Sequence, residues 1–415
     1  MPHELAVFIE SNTTGNGARM LDAAVELGHR PVLIAADPGR YRFVPSTVQR
    51  VRADTSDPAA LADLIRGLAD DIALVCSSSD HFQATAARVA ATLDLRGPDP
   101  DAIACCQDKA RQRAVLADAG VAVPAHLVVD NSAAARTAAQ RIGGPVVVKP
   151  IVGTGSVGVR LCHDPAAAAE HAAVLLADRT DERGNVRPAQ VLVEQFISGR
   201  EFSVEVLQGA VLGVTETHLG APPSFVEIGH DHPATITAEE RAAVVGATAA
   251  AVSSLGLDRQ TAHVEIRLDV SRPFIIEVNP RLPGGHITDL VRLGTGVDMI
   301  TEYLRSMAGA GPRLHPNRHR AAAIRHLTSS MLSLRPAGVS GHGSSSDDCF
   351  VLASGYPGVV QIGQDAASGD GSRTEFGDFR DRVAHVITVG ADTATAAARA
   401  EAAALAVQGC SAGGG

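Results

Sequence analysis

Two short stretches near the middle of the chain alternate apolar and polar residues with the period of a β-strand. The first spans residues 263–267 (His-Val-Glu-Ile-Arg) and the second spans residues 274–281 (Phe-Ile-Ile-Glu-Val-Asn-Pro-Arg). Successive side chains of a strand point to opposite faces, so the polar positions of each stretch share one face. We therefore predict two strands, joined into a hairpin by a turn at residues 269–273.

The polar face of this hairpin carries Glu265, Glu277 and Asn279, with Arg281 two residues further on. Oxygen ligands from neighbouring strands suit Mg²⁺, which completes its shell with water or nucleotide phosphates. The alternative is a solvated sheet face on which charged residues point outward. Both stretches together, the second closed by Asn-Pro-Arg, favour a metal site in which Arg281 can meet a phosphate or a carboxylate.

The first hundred residues alternate predicted strands and helices, which indicates a parallel sheet with helices on its faces. The predicted strands cover residues 5–9, 31–35 and 72–76, and the first helix covers residues 18–27. The Gly-Asn-Gly loop at residues 15–17 suggests a dinucleotide site. However, Met20 occupies the position of the third glycine in that fingerprint, which argues against a nicotinamide cofactor.

A lysine and a glycine-rich loop follow one another in the next region. Lys149 lies on an otherwise apolar predicted strand at residues 145–150, where a bound phosphate would account for its charge. The loop at residues 153–158 (Gly-Thr-Gly-Ser-Val-Gly) leads into another strand, whereas a Walker loop leads into a helix. We predict a flap whose backbone N–H groups cover phosphates. A tight hairpin that needs glycine only for its turn is the alternative.

Further elements surround this region. A helix that carries Lys109 is predicted over residues 101–119, and a strand over residues 191–197. Apolar residues near the end of that strand could contact the two faces of a flat ring, and backbone groups could hydrogen-bond to its edge. The alternative is a plain strand and turn. Beyond residue 320 we predict a Gly/Ser-rich loop at 338–348, strands at 356–360 and 383–389, and a helix at 391–407.

Composition narrows the class of protein. A chain of 415 residues, 45% hydrophobic and 20% charged, predicts two to four globular domains. A net charge of −10 argues against nucleic acid or an anionic membrane as partner. There is no apolar run of membrane-spanning length and the N-terminus leads directly into a strand, so we expect no signal peptide. The six cysteines contain no C-x-x-C pair, so we expect a reduced, cytoplasmic protein without a disulfide framework.

In order, these elements resemble the ATP-grasp superfamily of carboxylate–amine ligases. The resemblance rests on two lysines, the glycine-rich flap, a glutamate before a hinge and the E…E-x-N-x-R strands, between Lys109 and about Leu304. It implies an α/β and α+β chain with an ATP-grasp fold. The expected domains are a Rossmann-like pre-ATP-grasp domain at residues 1–98, the ATP-grasp core at 99–310 (flap subdomain 125–205, metal-binding subdomain 206–310), and a small β-rich unit with a terminal helix at 311–415.

The resemblance also implies a role for each matching residue. Residues expected to bind ATP are Lys109, Lys149, Gly153, Thr154, Gly155, Ser156 and Gly158 at the phosphates, Glu194, Phe196 and Ile197 at adenine, and Glu201 at the ribose. Residues expected to bind Mg²⁺, with Mn²⁺ as an alternative ion, are Glu265, Glu277 and Asn279. Arg281 is expected to stabilise the transferring phosphoryl group.

Within the superfamily the chain is most similar to the L-amino acid ligases, in the segments at residues 216–220, 222–230 and 279–285. This similarity implies that Glu227 and His230 lie near an amino group, and that Gly284 and Gly285 lie near the acyl oxygen. Two other interpretations of His230 are a loop histidine and a zinc ligand paired with His232. The sequence offers no third ligand for such a zinc site.

The implied reaction is a two-step ligation of small molecules. A carboxylate attacks the γ-phosphate of ATP to form an acyl phosphate, and an amine then displaces phosphate, with Glu227 or His230 as the base. The expected substrates are two amino acids, or an amino acid and a related amine. Alternatives are a carrier-bound or non-amino-acid substrate, a carboxyphosphate or purine-type enzyme, and an ATP-binding scaffold without chemistry. A homodimer is a further expectation from the resemblance, although no segment identifies an interface.

Overall fold

The computed structural model describes residues 4–12, 15–69, 71–180, 184–332, 346–365 and 377–412. The strands are β1 (Leu5–Ile9), β2 (Arg30–Ala35), β3 (Gln49–Arg52), β4 (Ile72–Cys76), β5 (His126–Val129), β6 (Val146–Pro150), β7 (Arg160–Cys162), β8 (Val191–Gln195), β9 (Arg200–Leu207), β10 (Ala210–Leu219), β11 (Glu227–His232), β12 (Thr261–Asp269), β13 (Arg272–Asn279), β14 (Ala321–Thr328), β15 (Val359–Gln364) and β16 (Arg382–Gly390). The α-helices are α1 (Asn16–Glu26), α2 (Pro58–Arg66), α3 (Gln83–Thr92), α4 (Pro100–Gln107), α5 (Lys109–Asp118), α6 (Ser132–Ile142), α7 (Pro165–Ala177), α8 (Ala238–Ser254), α9 (Ile287–Thr295), α10 (Met299–Met307), α11 (Ser329–Leu332), α12 (Ser346–Ser354) and α13 (Thr393–Ala412).

The N-terminal region is a four-stranded parallel sheet in the order β3-β2-β1-β4. Alternate residues of β1 pack into two different cores, with Leu5 and Val7 on one face and Ala6 and Phe8 on the other. This burial on both faces confirms the predicted β-α-β arrangement. Strand β3 was not predicted, because its sequence, Gln-Arg-Val-Arg, is mostly polar and lies at the edge of the sheet.

The flap sheet is antiparallel, in the order β5-β8-β6-β7. Alanines of α6 and α7 pack against the valines of β6 and β8, such as Val146 and Val191. Helix α7 begins where the Asp164 side chain accepts N–H bonds from Ala166 and Ala167, after which Pro165 starts the first turn. The glycine-rich loop lies between β6 and β7, as predicted.

The largest sheet has eight antiparallel strands in the order β13-β12-β9-β10-β11-β14-β16-β15. Its core on one side contains α8 residues such as Val244, packed on β9 and β12. The strands predicted as a C-terminal β-rich unit extend this same sheet, since β14 pairs with β11 and β16 pairs with β14. The proposed domain boundaries at residues 98 and 310 remain predictions.

Three expectations need correction or restriction. The helix expected over residues 101–119 is two helices, because the Asp108 side chain accepts N–H bonds from Ala110 and Arg111 and starts α5. The expectation that all six cysteines are reduced is wrong, because Cys349 and Cys410 form a disulfide. The Gly/Ser-rich loop predicted at residues 338–348 lies outside the described residues up to residue 345, and α12 begins at Ser346.

Two properties of the helices, length and hydropathy, bear on membrane spanning in the part of the chain that the structure describes. Among those residues, no helix is both long enough and apolar enough to cross a bilayer.

The β12–β13 hairpin turn generates a prediction about stability. Val270 is 93% exposed and has a φ of 54°, a left-handed conformation that disfavours a β-branched residue. Relief of that strain exceeds the entropy that glycine adds to the unfolded chain, so we expect Val270→Gly to raise the free energy of unfolding by about 1 kcal/mol. Urea unfolding measures the change. The same substitution at Val25, exposed on α1, should lower the free energy of unfolding. A loss of stability in Val270→Gly would contradict the assigned turn.

Candidate active site

A cleft of about 570 Å³ opens between the N-terminal sheet, the flap sheet and the eight-stranded sheet. Most of the residues predicted for the site line this cleft: Lys109, Lys149, Gly153, Thr154, Gly155, Ser156, Glu194, Phe196, Ile197, Glu201, Glu227, Glu265, Glu277, Asn279, Arg281, Gly284 and Gly285. The two that do not line it are Gly158, at the base of the flap against Leu175, and His230, behind Gly285.

The predicted metal ligands lie side by side on β12 and β13. Glu265 is the direct cross-strand partner of Glu277, and His263 is the partner of Asn279. The side chains of Glu265 and Glu277 are only 26% and 15% exposed, which is too buried for a solvated sheet face. Burial raises the pKa of Glu277, but the charges of Lys109 and Lys149 outweigh burial, so the net pKa is lowered. Two carboxylates and an amide oxygen are a donor set that fits Mg²⁺.

Lys109 connects strand β13 to the flap. Its Nζ lies 3.0 Å from a carboxylate oxygen of Glu277 and donates to the Gly153 carbonyl at 2.6 Å. The Lys109 side chain is 6% exposed. The same cation therefore pairs with the carboxylate of a predicted metal ligand and contacts the first residue of the predicted phosphate flap.

Behind the flap lies a buried group of three charged residues. The Glu194 carboxylate accepts from Lys149 through one oxygen and from Arg113 through the other, the latter at 3.1 Å. Burial raises the pKa of Glu194, but the two cations outweigh burial and lower it. For Lys149 burial is the dominant effect, and its pKa is lowered. Glu194 lines the cleft as predicted, and its carboxylate holds these two cations.

The predicted adenine pocket contains aromatic rings and one unpredicted arginine. Phe196 and Phe225 lie with ring centroids 6.3 Å apart, and the Arg267 guanidinium lies over both rings, 5.1 and 5.5 Å from their centroids. Arg267 also donates to the Ile197 carbonyl and to Glu201, at 2.9 and 2.8 Å. Two backbone N–H groups of this segment already have acceptors, since Gln195 donates to the Ala125 carbonyl and Phe196 donates to the Pro145 carbonyl.

Glu201, expected at the ribose, is buried beside Arg267. Burial raises the pKa of its carboxyl group more than the Arg267 charge lowers it, and the result is about 7. Its charge therefore changes near neutral pH, which is unusual for a carboxylate.

The flap contacts the C-terminal segment. A Cβ added at Gly155 would lie 2.5 Å from the Phe379 ring, and the Phe379 N–H donates to the Gly155 carbonyl at 3.3 Å. Gly155 also has a φ of 63°, so two constraints favour glycine there.

The far end of the cleft contains the residues expected near the amino group. Glu227 pairs with Arg382 at 3.0 Å and lies 3.8 Å from Nε2 of His230. Burial raises the pKa of Glu227, but His230, which is protonated in the acidic range where the two groups titrate, and Arg382 outweigh burial, so the pKa of Glu227 is well below the usual range. Burial lowers the pKa of His230 to about 4, so the ring is neutral at pH 7.

His230 lies on strand β11, which excludes the loop interpretation. Its Nδ1 lies 3.3 Å from the Thr217 hydroxyl, and Nε2 is buried without a hydrogen-bond partner, directed at Gly285. His232 on the same strand bonds Thr215 at 3.0 Å. Neither histidine belongs to a metal-type cluster of three ligands in the described part of the chain, so the zinc pairing of His230 with His232 is not supported.

Four residues that pair with the predicted site residues were not predicted from the sequence. Arg113 lies one helical turn after Lys109, and Arg267 lies two residues after Glu265 on the same strand face, so helical and strand periodicity could have indicated both. Asp80, which pairs with Arg281, and Arg382 come from distant segments. No local pattern identifies them.

Comparisons with known proteins identify the family and the fold of this chain. A profile of the ATP-grasp domain matches residues 142–289. The uncharacterized protein y4rH of Sinorhizobium fredii is 34% identical over 389 residues, covering 92% of this chain and 78% of that protein. A crystal structure of L-amino acid ligase from Bacillus licheniformis superposes with a TM-score of 0.76 over 97% of each chain, at 21% identity. The chain belongs to the ATP-grasp family of carboxylate–amine ligases.

Among curated relatives, carnosine synthase 1 of Gallus gallus is 27% identical over 321 residues, covering 71% of this chain. This chain spans 34% of the length of that protein. ATP-grasp enzymes use ATP with Mg²⁺, which the oxygen donors of the cleft and its lysines accommodate. The comparison with L-amino acid ligase supports the fold.

The buried group around Glu194 generates a prediction about stability. Glu194→Gln would leave Lys149 and Arg113 buried without their counter-ion, so we expect a loss of about 3 kcal/mol in the free energy of unfolding. Asp63→Asn is the matched control, because Asp63 pairs with Arg66 at 2.8 Å and is 80% exposed. That variant should lose less than about 1 kcal/mol. Equal effects in urea unfolding would contradict the importance of the buried group.

The raised pKa of Glu201 generates a prediction about pH. If its carboxylate accepts from ribose hydroxyls, binding requires the ionised form, which predominates above a pKa of about 7. We expect adenosine, which does not titrate in this range, to bind about tenfold more tightly at pH 8 than at pH 6. Glu201→Gln should show no such change in isothermal titration calorimetry. An unchanged pH dependence in the variant would refute this role.

Proposed function

We propose that this chain joins two amino acids, or an amino acid and a related amine, through an acyl phosphate, with release of ADP and phosphate. The observation that carries the proposal is the arrangement of the cleft. The acidic pair Glu265 and Glu277 lies at the lysines and the glycine flap, and Glu227 with Arg382 lies at the far end. The fold of L-amino acid ligase and the sequence relation to carnosine synthase support the same substrate class.

The lysines and the flap hold the phosphates in this proposal. Lys149 lies on the strand that precedes the flap, Lys109 donates to the Gly153 carbonyl at its start, and residues 153–157 line the same cleft. ATP supplies the phosphoryl group that activates the carboxylate, and Mg²⁺, or Mn²⁺ in its place, supplies charge neutralisation. Glu265, Glu277 and Asn279 are the residues proposed to hold the metal. Phosphoryl transfer needs mainly positioning and charge, which this chain provides without a protein nucleophile.

Arg281 is proposed to orient the carboxylate substrate and stabilise its phosphorylated form. Its guanidinium is paired with Asp80 from the N-terminal region and also donates to the Leu282 carbonyl at 3.2 Å. These contacts fix the direction of the side chain before the substrate binds. Gly284 and Gly285 follow in the same loop and leave room for the acyl group.

Of the two expected bases, His230 is the better proposal for proton transfer. Glu227 is held in its ionised form by Arg382, so it is suited to binding an ammonium group. His230 is neutral at pH 7, and its Nε2 is directed toward the cleft at Gly285 without a partner. Once protonated, that nitrogen would lie 3.8 Å from the Glu227 carboxylate, which stabilises the imidazolium.

The direct test measures phosphate release from ATP and Mg²⁺ with amino acids supplied singly and in pairs, and identifies the products by mass spectrometry. Release that requires a pair, with a new amide mass, would establish the proposed activity. Release that requires bicarbonate would show a carboxyphosphate enzyme. Silence across the panel in a protein that binds ATP would contradict an amino-acid substrate and favour a carrier-bound or other acceptor.

The metal strands generate a prediction about catalysis. We expect Glu277→Gln and Arg281→Ala each to lower the rate of ligation at least about a hundredfold, because each removes a charge at the site of phosphoryl transfer. Glu239→Gln, at an exposed position in α8, is the control and should retain full activity. Near-normal turnover in either site variant would show that the metal and phosphoryl sites lie elsewhere.

A further inference from the structure

A second cluster of metal-type side chains lies at the far end of the cleft. His286, Asp365 and His385 bring their ligand atoms within 4.8 Å of one another. They come from three segments: the start of α9, the end of β15 and the middle of β16. His286 and Asp365 line the cleft. None of the three belongs to the proposed magnesium site. None has a role predicted from the sequence.

Buried polar atoms around this cluster lack hydrogen-bond partners. His326, the cross-strand partner of His385, is 4% exposed, and neither of its ring nitrogens has a partner. Oδ2 of Asp365 is also buried without a partner, and His326 Nδ1 lies 3.7 Å from it, beyond hydrogen-bond distance. Unpaired buried polar atoms are costly and rare in native proteins. A cation that draws the Asp365 carboxylate into a defined position would account for this arrangement.

In each of the two histidines, one ring nitrogen contacts a polar side chain outside the cluster. His286 Nδ1 bonds Asp289 at 3.1 Å, which leaves Nε2 for a metal. His385 Nδ1 faces Asp365 at 2.8 Å, and its Nε2 lies 3.0 Å from the Gln361 amide, whose oxygen accepts from the ring if the amide is turned over. Metal-bound histidines usually donate their other N–H to a carboxylate or carbonyl oxygen in this way.

The backbone adds a further constraint on His286. This residue has a φ of 62° immediately before α9, a left-handed conformation that is uncommon for a residue other than glycine. Such strain is found where the surrounding structure needs a side chain in a particular place. Here it directs the imidazole against His385, with ring centroids 4.2 Å apart.

We propose that His286, Asp365 and His385 bind one divalent transition-metal ion of the zinc type. Two imidazole nitrogens and one carboxylate oxygen favour such an ion, whereas Mg²⁺ favours the all-oxygen set at Glu265 and Glu277. His326 then serves as the outer partner of Asp365. Arg382, which lines the same end of the cleft, is paired with Glu227 and so adds little net charge. The proposal does not depend on the proposed ligase reaction.

The test uses the full chain, freed of metal with a chelator and titrated with ZnCl₂ in excess Mg²⁺ by isothermal titration calorimetry. We expect one Zn²⁺ per chain, with affinity unchanged by Mg²⁺. CoCl₂ should give the visible absorption of a low-coordinate nitrogen–oxygen site. His385→Gln and Asp365→Asn should each abolish this binding. Glu277→Gln and the exposed His319→Gln should retain it.

Several outcomes would overturn the proposal. The first is that no Zn²⁺ binds, and the second is that His385→Gln and Asp365→Asn bind it as the parent chain does. The third is that Mg²⁺ displaces Zn²⁺ and Glu277→Gln loses it, which would locate zinc at the magnesium site. Thermal unfolding shows whether a variant has lost its fold, and His286→Gln, altered at the cleft surface, is the substitute in that case. Ligation with Mg²⁺ alone in a chain that binds no zinc would refute this site and leave the proposed function standing.

Discussion

The register between β12 and β13 is the constraint on which the rest of the cleft depends. It places Glu265 directly opposite Glu277, and both carboxylates on the same face of the sheet. A slip of one residue would turn these side chains into the apolar core that Val264 and Val278 occupy, at a large cost in free energy. The acidic pair is therefore specified by the packing of its apolar neighbours, and the cations of the cleft are arranged around it.

Pairing of opposite charges explains how so many ionised groups are tolerated with little exposure. Lys109 pairs with Glu277, Lys149 and Arg113 share Glu194, and Arg281 pairs with Asp80. Each pair joins segments distant in sequence, so the charges contribute to the geometry of the cleft as well as to its electrostatics. Because these pairs are present in the free protein, the cations are held in position before an anionic substrate binds, so little reorganisation is needed.

Local sequence patterns predicted several strands and the polar face of the β12–β13 hairpin. Strands such as Leu5–Ile9 and Ile72–Cys76 were predicted to the residue, because an apolar run between turn signals has few alternatives. The magnesium-type face was predictable because strand periodicity puts Glu277 and Asn279 together. By contrast, the Asp108 side chain caps α5 and so divides the predicted helix into two. This cap can be recognised only from the backbone geometry. The Cys349–Cys410 disulfide and the cluster around Asp365 join segments that no local pattern connects.

The contact between Gly155 and Phe379 has a consequence for how this fold can vary. The flap of this chain touches a segment that follows β15, and Arg382 in the next strand reaches the far end of the same cleft. Described residues of the C-terminal region, such as Phe379 and Arg382, thus line part of the cleft. A protein that shares only the ATP-grasp core, without these strands, must cover its cleft with other parts of its chain. Divergence in this region would then alter which molecules enter the cleft, while the residues proposed to bind phosphate stay the same.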